Sequence, residues 1–472
     1  MSRVMLLYPP VSRQKIYGTF AKVGAQQPPL GLLYLAAYLR ANGHLVAFRD
    51  SALFNDSHCN LQEIIQSFRP DLIGIYVSTV AVPVVAELTC ALKQKNKHIP
   101  IVIGGPHPTA MPYESFTQMP GIDYVVRGEG EKPLLNLVNA LGRGEDMSKI
   151  SALGYSRDGR TIVNHQMDLV EDIDSLPFPA YDLLSSFCDY KPAAINYRRL
   201  PLAAVFTSRG CPFRCVFCSS GSNEVKVRFH SPARTLEKME YLVEHYNVRE
   251  IMINDDTFTV DNERVYAICE KIEKLHRDRG LIWCANIQVS TIRSADLLKA
   301  MKRSGCWLVM PGIESGNSDI LKLIKKAIDL EKVREVFQWA REAGLYVKPS
   351  YIIGHPGETE ATIEDTIRFA KSVYSHYPSF ALMTPFPGTE LWDMAKQYGS
   401  FNPDDFEALS PSADQPPFVP KGLTAELLRK KQKEAYRALY FDPAMILRHI
   451  LSIDSLEDLK RLWNAFLTLI RL

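Results

Sequence analysis

The chain has 472 residues, 46% of them hydrophobic and 23% charged, with a formal net charge of +2. That is more than one compact core holds, so two or three domains are expected, and a near-neutral balance gives no electrostatic reason for nucleic acid as a partner. The apolar run in MSRVMLLYPP is too short for a signal peptide, no small-residue cleavage site follows it, and no stretch reaches the roughly 18 apolar residues that span a bilayer. A cytoplasmic, reducing location is expected. There the scattered Cys59, Cys90, Cys188, Cys269, Cys284 and Cys306 read as small apolar groups rather than disulfide halves.

Residues 1–148 alternate strand-like and helix-like segments. VMLLYP (4–9) reads as a buried parallel strand, and PLGLLYLAAYL (29–39) has helical periodicity ended by Asn42-Gly43. HLVAFRD (44–50), DLIGIYV (71–77), IPIVIGG (99–105) and IDYVVRG (122–128) complete five strands. The alternation predicts a doubly wound, flavodoxin-like α/β domain, and such sheets bind ligands beyond the carboxyl ends of their strands. The residues at those ends are Ser78 and Thr79, then Gly104, Gly105 and His107, then Gly128, Glu129 and Glu131. The glycines either let a bulky ligand approach the backbone or simply form turns.

Residues 149–200 lack clean periodicity and read as an ordered connector between domains. Over 201–400 the alternation resumes, with strands expected at 203–208, 250–255, 282–288, 307–315, 346–354 and 379–385. Six strand–helix units predict a partial parallel (β/α)6 barrel, whose chemistry belongs at the strands' carboxyl ends. In residues 401–472, an irregular stretch precedes helical patterns at 425–440, 442–453 and 455–472. The last two are amphipathic. They suit packing on the barrel, or else an interfacial face for a peripheral membrane contact or a lipid-like substrate.

TSRGCPFRCVFCSSG (207–221) follows the first barrel strand and spaces Cys211, Cys215 and Cys218 as C-x3-C-x2-C. A disulfide would leave one thiol over and suits an oxidising compartment. Structural zinc wants a fourth ligand, and none stands nearby in a zinc-like spacing. Four thiolates normally hold an iron–sulfur cluster, so three would leave one iron of a 4Fe–4S cube open to a ligand.

This loop, with Thr-Ser-Arg-Gly before the first cysteine and Phe217 before the third, resembles that of the radical S-adenosylmethionine (SAM) superfamily. The amino-terminal module, with PPLGLLYLAAYL, PDLIGIYVST, GGPHPT and DYVVRGEGE, is similar to the cobalamin-binding domain fused to one large branch of these enzymes. That branch includes cobalamin-dependent methylases and the anaerobic magnesium-protoporphyrin ester cyclase. The resemblance implies that Cys211, Cys215 and Cys218 hold a 4Fe–4S cluster whose open iron chelates SAM. One electron, from a reducing partner such as flavodoxin or ferredoxin, then cleaves SAM to a 5′-deoxyadenosyl radical. It further implies Phe217 near the adenine, Asp255 and Gln288 at strand ends facing SAM, Glu314 and Ser315 for the ribose or amino group, and the Tyr351–Gly357 backbone near the adenine. Methionine-synthase-type cobalamin domains carry Asp-x-His-x-x-Gly. Here Asp56-Ser57-His58-Cys59-Asn60-Leu61 lacks the glycine and follows the second strand, so cobalamin is expected base-off with no protein histidine beneath the cobalt.

By this resemblance the expected reaction is methylation of an unactivated carbon of a small substrate, a hydrophobic one being compatible with the amphipathic tail, with an oxidative cyclisation or rearrangement as the alternative. A sensor without turnover is disfavoured by the intact cysteine triad. A methylthiotransferase is disfavoured because only Cys59, Cys90 and Cys188 precede the loop and none ends a strand.

Overall fold

The computed structural model describes all residues except 19, 20, 22, 23, 223–225, 413, 454–458, 460, 461 and 464–472. The chain forms two compact units. One comprises Met1–Ile16, Pro28–Asp189 and Pro403–Leu409, the other Tyr17–Gln27, Tyr190–Asn402 and Ser410–Leu472.

The first unit is built on β1 (Arg3–Tyr8), β2 (Leu45–Asp50), β3 (Leu72–Tyr76), β4 (Ile101–Gly104), β5 (Tyr124–Val126), β6 (Leu153–Arg157) and β7 (Arg160–Val163). They lie in the order β2-β1-β3-β4-β5-β6-β7, the first five parallel. The order 2-1-3-4-5 is the flavodoxin-like arrangement, with its switch point between β1 and β3. Residues alternate between two buried clusters, Met5, Leu7, Ile73 and Ile75 in one and Val4, Leu6, Leu72 and Val102 in the other. Both faces are covered, and the strand sequences are therefore continuously apolar.

The segment expected to be a connector begins as part of this sheet. β6 and β7 extend it antiparallel beyond β5. Asp158-Gly159 joins them with φ values of 53° and 72°, the two left-handed positions of a tight hairpin turn, for which Asp-Gly is a preferred pair. The unit boundary accordingly falls after Asp189.

In the second unit, β8 (Leu202–Val205), β11 (Glu250–Ile253), β12 (Ile282–Ile287), β13 (Cys306–Glu314), β14 (Tyr346–Val347), β15 (Ser350–Ile353) and β16 (Ser379–Leu382) form a parallel sheet. Between β8 and β11, a short ladder of β9 (Ser208–Arg209) and β10 (Arg228–Phe229) brackets the cysteine loop. β8 and β16 are the two ends of the sheet, so the barrel is partial, as expected. The fifth expected strand is split into β14 and β15 at Lys348-Pro349, because proline has no N–H for the ladder. Helices Pro232–Tyr246, Asn262–Arg279, Ala295–Arg303, Leu330–Glu342 and Glu360–Ser372 separate the strands.

The carboxy-terminal helices are Ala425–Tyr440, capped by the Thr424 hydroxyl, and Pro443–Leu451, which leaves Leu447, Ile450 and Leu451 exposed. Most of the helix expected at 455–472 lies outside the described residues. Among the described residues, no helix is long and apolar enough to cross a membrane.

Candidate functional site

Three charged side chains, each reaching from far along the chain, fix the base of the cysteine loop. The Asp255 carboxylate, just beyond β11 and fully buried, accepts from the backbone N–H of Thr207 (2.6 Å) and Ser208 (3.1 Å) and from their hydroxyls (2.5 and 2.7 Å). Arg264 donates to the Thr207 carbonyl (2.6 Å) and the His230 carbonyl (3.0 Å), and the buried Lys238 ammonium donates to the Phe206 carbonyl (2.9 Å). Buried charges persist only when so engaged. The loop therefore starts from a rigid platform at the end of β8. Asp255, expected to face SAM, has both oxygens committed to this platform. The next helix is capped instead by Asp261, which accepts from the Arg264 N–H at 3.1 Å.

Beyond the platform, the Val216 N–H donates to the Ile324 carbonyl (3.1 Å) and the Val216 carbonyl accepts from the Leu391 N–H (2.8 Å). The three thiols are partly exposed and unpaired as disulfides. Cys211 Sγ lies 3.8 Å from the Thr257 hydroxyl. Burial pushes the Cys215 thiol up to about 11, opposed by the Lys326 ammonium. Phe217 stands 6.4 Å from the His355 ring, which is fully buried, neutral through burial with its pKa down to about 4, and bonded to the Glu314 carbonyl at 3.2 Å.

At the end of β13, Glu314 adopts φ 70°, the left-handed region, which a glutamate occupies only under tertiary constraint. Its carboxylate pairs with Lys326 at 3.1 Å, both side chains nearly buried. A Cβ on Gly312 would stand 2.3 Å from Glu314 Oε1 and 3.1 Å from Lys326 Nζ, so the glycine makes room for the pair. Burial lowers the Lys326 pKa, but Glu314 and the thiols of Cys215 and Cys218 outweigh it and the net shift is upward. Lys326 lies just past the helix Ser318–Leu323, in the ordinary-looking run LKLIKKAI, and no local signal singled it out.

The other expected SAM-side residues divide. Gln288, just past β12, is buried with its Nε2 unpartnered among the described residues, a donor available to a ligand. The Ser315 hydroxyl is turned to Thr366 (3.2 Å) and to the Asn317 N–H (3.1 Å). Tyr351 stacks on Phe380 with ring centroids 5.1 Å apart, so only its backbone borders the strand end. Asn254 donates to Gln27 Oε1 (3.0 Å), and Gln27 Nε2 lies 3.1 Å from Met252 Sδ. The amino-terminal stretch 17–27 thus supplies a barrel residue that the pattern did not point to.

In the first unit, Gly105 has φ 117°, and a Cβ there would stand 2.8 Å from the Val77 carbonyl. Thr109 ties two loops together, its hydroxyl donating to the Gly105 carbonyl (2.7 Å) and accepting from the Gly128 N–H (2.9 Å). Gly128 has φ 64°. Gly104 ends β4, Ser78 precedes the short turn Thr79–Ala81, and Glu131 opens helix Glu131–Arg143 two residues after Glu129. His107 is fully buried; its ring meets Gln118 Oε1 at 2.8 Å and packs edge-on against Phe406. It is a scaffold of the loop rather than a group facing outward. Ser57 and Asn60 form a capping box for helix His58–Phe68, and the Asp56 carboxylate pairs with Arg49 at 2.7 Å.

The donor set suits a cluster rather than a single ion. Three thiols share one loop, and among the described residues no three His, Cys, Asp or Glu side chains converge on one metal position. A cube takes each thiolate on a separate iron.

A radical SAM superfamily model matches residues 205–370, and a B12 binding domain model matches residues 17–138. The chain belongs to the radical SAM superfamily, in the branch with a B12 binding domain. It is 35% identical over 432 residues to an uncharacterised methyltransferase of Pyrococcus horikoshii, covering 91% of each chain. It is 28% identical over 396 residues to the anaerobic magnesium-protoporphyrin IX monomethyl ester cyclase of Rubrivivax gelatinosus, covering 83% of this chain and 69% of that one. Its fold matches that of the radical SAM methyltransferase TsrM from Kitasatospora setae, solved with cobalamin and a 4Fe–4S cluster bound. The TM-score is 0.71 at 19% identity, over 94% of this chain and 90% of that chain.

Proposed function

We propose that this protein is a cobalamin-dependent radical SAM methyltransferase that methylates an unactivated carbon of a small molecule. The observation that carries this reading is the C-x3-C-x2-C loop on its buried platform at the end of β8, in a chain whose other unit has the 2-1-3-4-5 sheet with glycine-lined strand ends. When bound, the cluster supplies the electron that splits SAM and the cobalamin carries the methyl group.

The chain's own residues have distinct tasks. Cys211, Cys215 and Cys218 hold the cluster, and Asp255, Arg264 and Lys238 fix the loop that presents them. Gln288, Glu314 and Lys326 receive SAM: the unpartnered Gln288 amide donates, and the buried Lys326–Glu314 pair offers both charges that an α-amino-acid head requires. Gly105 and Gly128 would keep side chains away from the corrin. A reductant of the flavodoxin or ferredoxin class delivers the electron.

A second reading, oxidative cyclisation, is favoured by the cyclase relative and calls on the same two cofactors. Anaerobic reconstitution separates them. About four irons per chain, lost in Cys215→Ala, together with cobalamin retained through gel filtration and methylcobalamin formed from methyl-labelled SAM, supports the methyltransferase. Retained cobalamin that never acquires the label shifts the balance to cyclisation. A cluster without retained cobalamin sinks the methyltransferase, and zinc in place of iron ends the radical reading.

A further inference from the structure

The inner face of the barrel can be followed row by row. Ala204, Met252, Cys284, Leu308 and Tyr346 are neighbours across β8, β11, β12, β13 and β14. Met252, Cys284, Leu308 and Tyr346 pack in one cluster with Leu202 and Tyr377, while the alternate residues Ile251, Trp283 and Val309 are buried on the other face. Two residues further along each strand, the same inner face carries Asn254, Asn286, Met310 and Lys348. Asn286 and Met310 are register partners, and the Lys348 N–H continues the ladder by donating to the Val309 carbonyl at 2.9 Å. Gly312 pairs with Ser350. Lys348 therefore lies one inner-face step, about 7 Å, below the level of the Glu314–Lys326 pair.

The two lysines are in opposite situations. Lys326 has its carboxylate. The Lys348 ammonium has no hydrogen-bond or ion-pair partner among the described residues, although the barrel wall encloses the side chain and part of the residue's surface stays open. Its titratable neighbour Cys284 is held as a neutral thiol by burial. The carboxylate further down the face, Glu250, accepts from the N–H groups of Arg198 and Arg199 and from Trp307 Nε1. Burial accordingly lowers the Lys348 pKa to about 8, and the ammonium still predominates at neutral pH. An unpaired ammonium in such a place weakens the fold.

We propose that Lys348 is the recognition point for an anionic group, a carboxylate or phosphoryl oxygen, on the substrate, seated in the barrel beneath SAM. The substrate of this enzyme is then a small molecule bearing such a group, with Asn286 and Ser350 as polar neighbours and Met310 as an apolar one. This rests on reading the barrel interior as the substrate chamber of a radical SAM enzyme.

The test uses the reconstituted protein with saturating SAM, so that SAM's own carboxylate is already placed, and hydroxocobalamin. Benzoate, phenyl phosphate and neutral benzamide are titrated by calorimetry into wild type, Lys348→Gln and Lys348→Arg. At least one anion is expected to bind wild type ten or more times tighter than benzamide, the winning anion telling carboxylate from phosphoryl. The preference should vanish in Lys348→Gln and survive in Lys348→Arg. Equal binding of all three probes by iron-loaded wild type, or a preference kept by Lys348→Gln, overturns the proposal. Iron measured on the same sample reports separately on the radical SAM reading, which fails if no iron is held.

A second measurement needs no ligand. Lys348→Met removes the unpaired charge and should raise the melting temperature by roughly 2–4 °C. A fall instead would make Lys348 a structural group and overturn the proposal.

Discussion

The two units solve one problem, a ligand site beyond the carboxyl ends of parallel strands, with different materials. In the first unit the strand ends are shaped by backbone: Gly105 and Gly128 hold positive φ, and the Thr109 hydroxyl locks their loops together. In the barrel the strand ends are shaped by buried charge: Asp255, Arg264 and Lys238 under the cysteine loop, and Glu314 with Lys326 beside it. On the proposed function, the difference follows from what each would hold. A broad, flat corrin needs side chains kept out of the way, which glycine provides. A redox cluster and a zwitterionic cosubstrate need charges fixed in place before binding, which requires a network whose members are all satisfied.

If this contrast is right, charge substitutions damage the barrel and leave the first unit intact, and backbone substitutions do the reverse. The largest effect is expected for Cys215→Ala, with iron content and SAM cleavage falling to background while cobalamin retention stays at the wild-type level. Loss of both cofactors together would break the contrast. Asp255→Ala leaves the buried N–H and hydroxyl donors of Thr207 and Ser208 without an acceptor. It should cost about 3 kcal/mol of stability in a denaturant melt and lower the iron bound per chain; unchanged iron would show that the platform is not what presents the loop. Gly105→Ala meets both a disfavoured φ and the Val77 carbonyl. It should cost about 1–3 kcal/mol and weaken cobalamin retention, with iron unaffected.

Gly312→Ala pushes only on the movable ends of Glu314 and Lys326. An increase of about tenfold in the KM for SAM, or about 1.4 kcal/mol, is expected at normal iron content, and a change in cobalamin retention would count against the division of labour. The smallest effect concerns pH. Burial raises the Glu358 pKa to about 8, although the Gly354 and His355 N–H groups donate to its Oε2. The native state thus binds a proton that the unfolded chain releases near 4.5. The stability from this group is fully present below that value and is lost as pH rises through about 8. Glu358→Gln should flatten that decline between pH 5 and 9. Parallel stability curves for variant and wild type would remove Glu358 from the set of strained buried charges.

Local patterns carried the architecture. Apolar runs and helical periodicity located the five parallel strands of the first sheet and the six of the barrel. The helix expected at 425–440 runs from Ala425 to Tyr440, because Thr424 is a strong cap and the apolar stripe keeps helical period. The hairpin of β6 and β7 was equally local, written in Asp158-Gly159 between alternating strands. It was overlooked because the surrounding Pro- and Asp-rich stretch hid it. Gln288 and Glu314 were singled out as candidates by their places at strand ends once the family resemblance supplied the frame.

The sequence by itself determined where strands, helices and the three-cysteine loop occur, because those depend on period, capping and spacing over a few residues. Only the tertiary structure decided what the charged residues do. Asp255 reaches back 48 and 47 residues to Thr207 and Ser208, Gln27 meets Asn254 from 227 residues away, and the Lys348 ammonium is solitary because, among the described residues, the register places no carboxylate beside it. A charge acquires its role from partners brought close by folding and from the water that folding removes. Neither is written in the residues next to it in the chain.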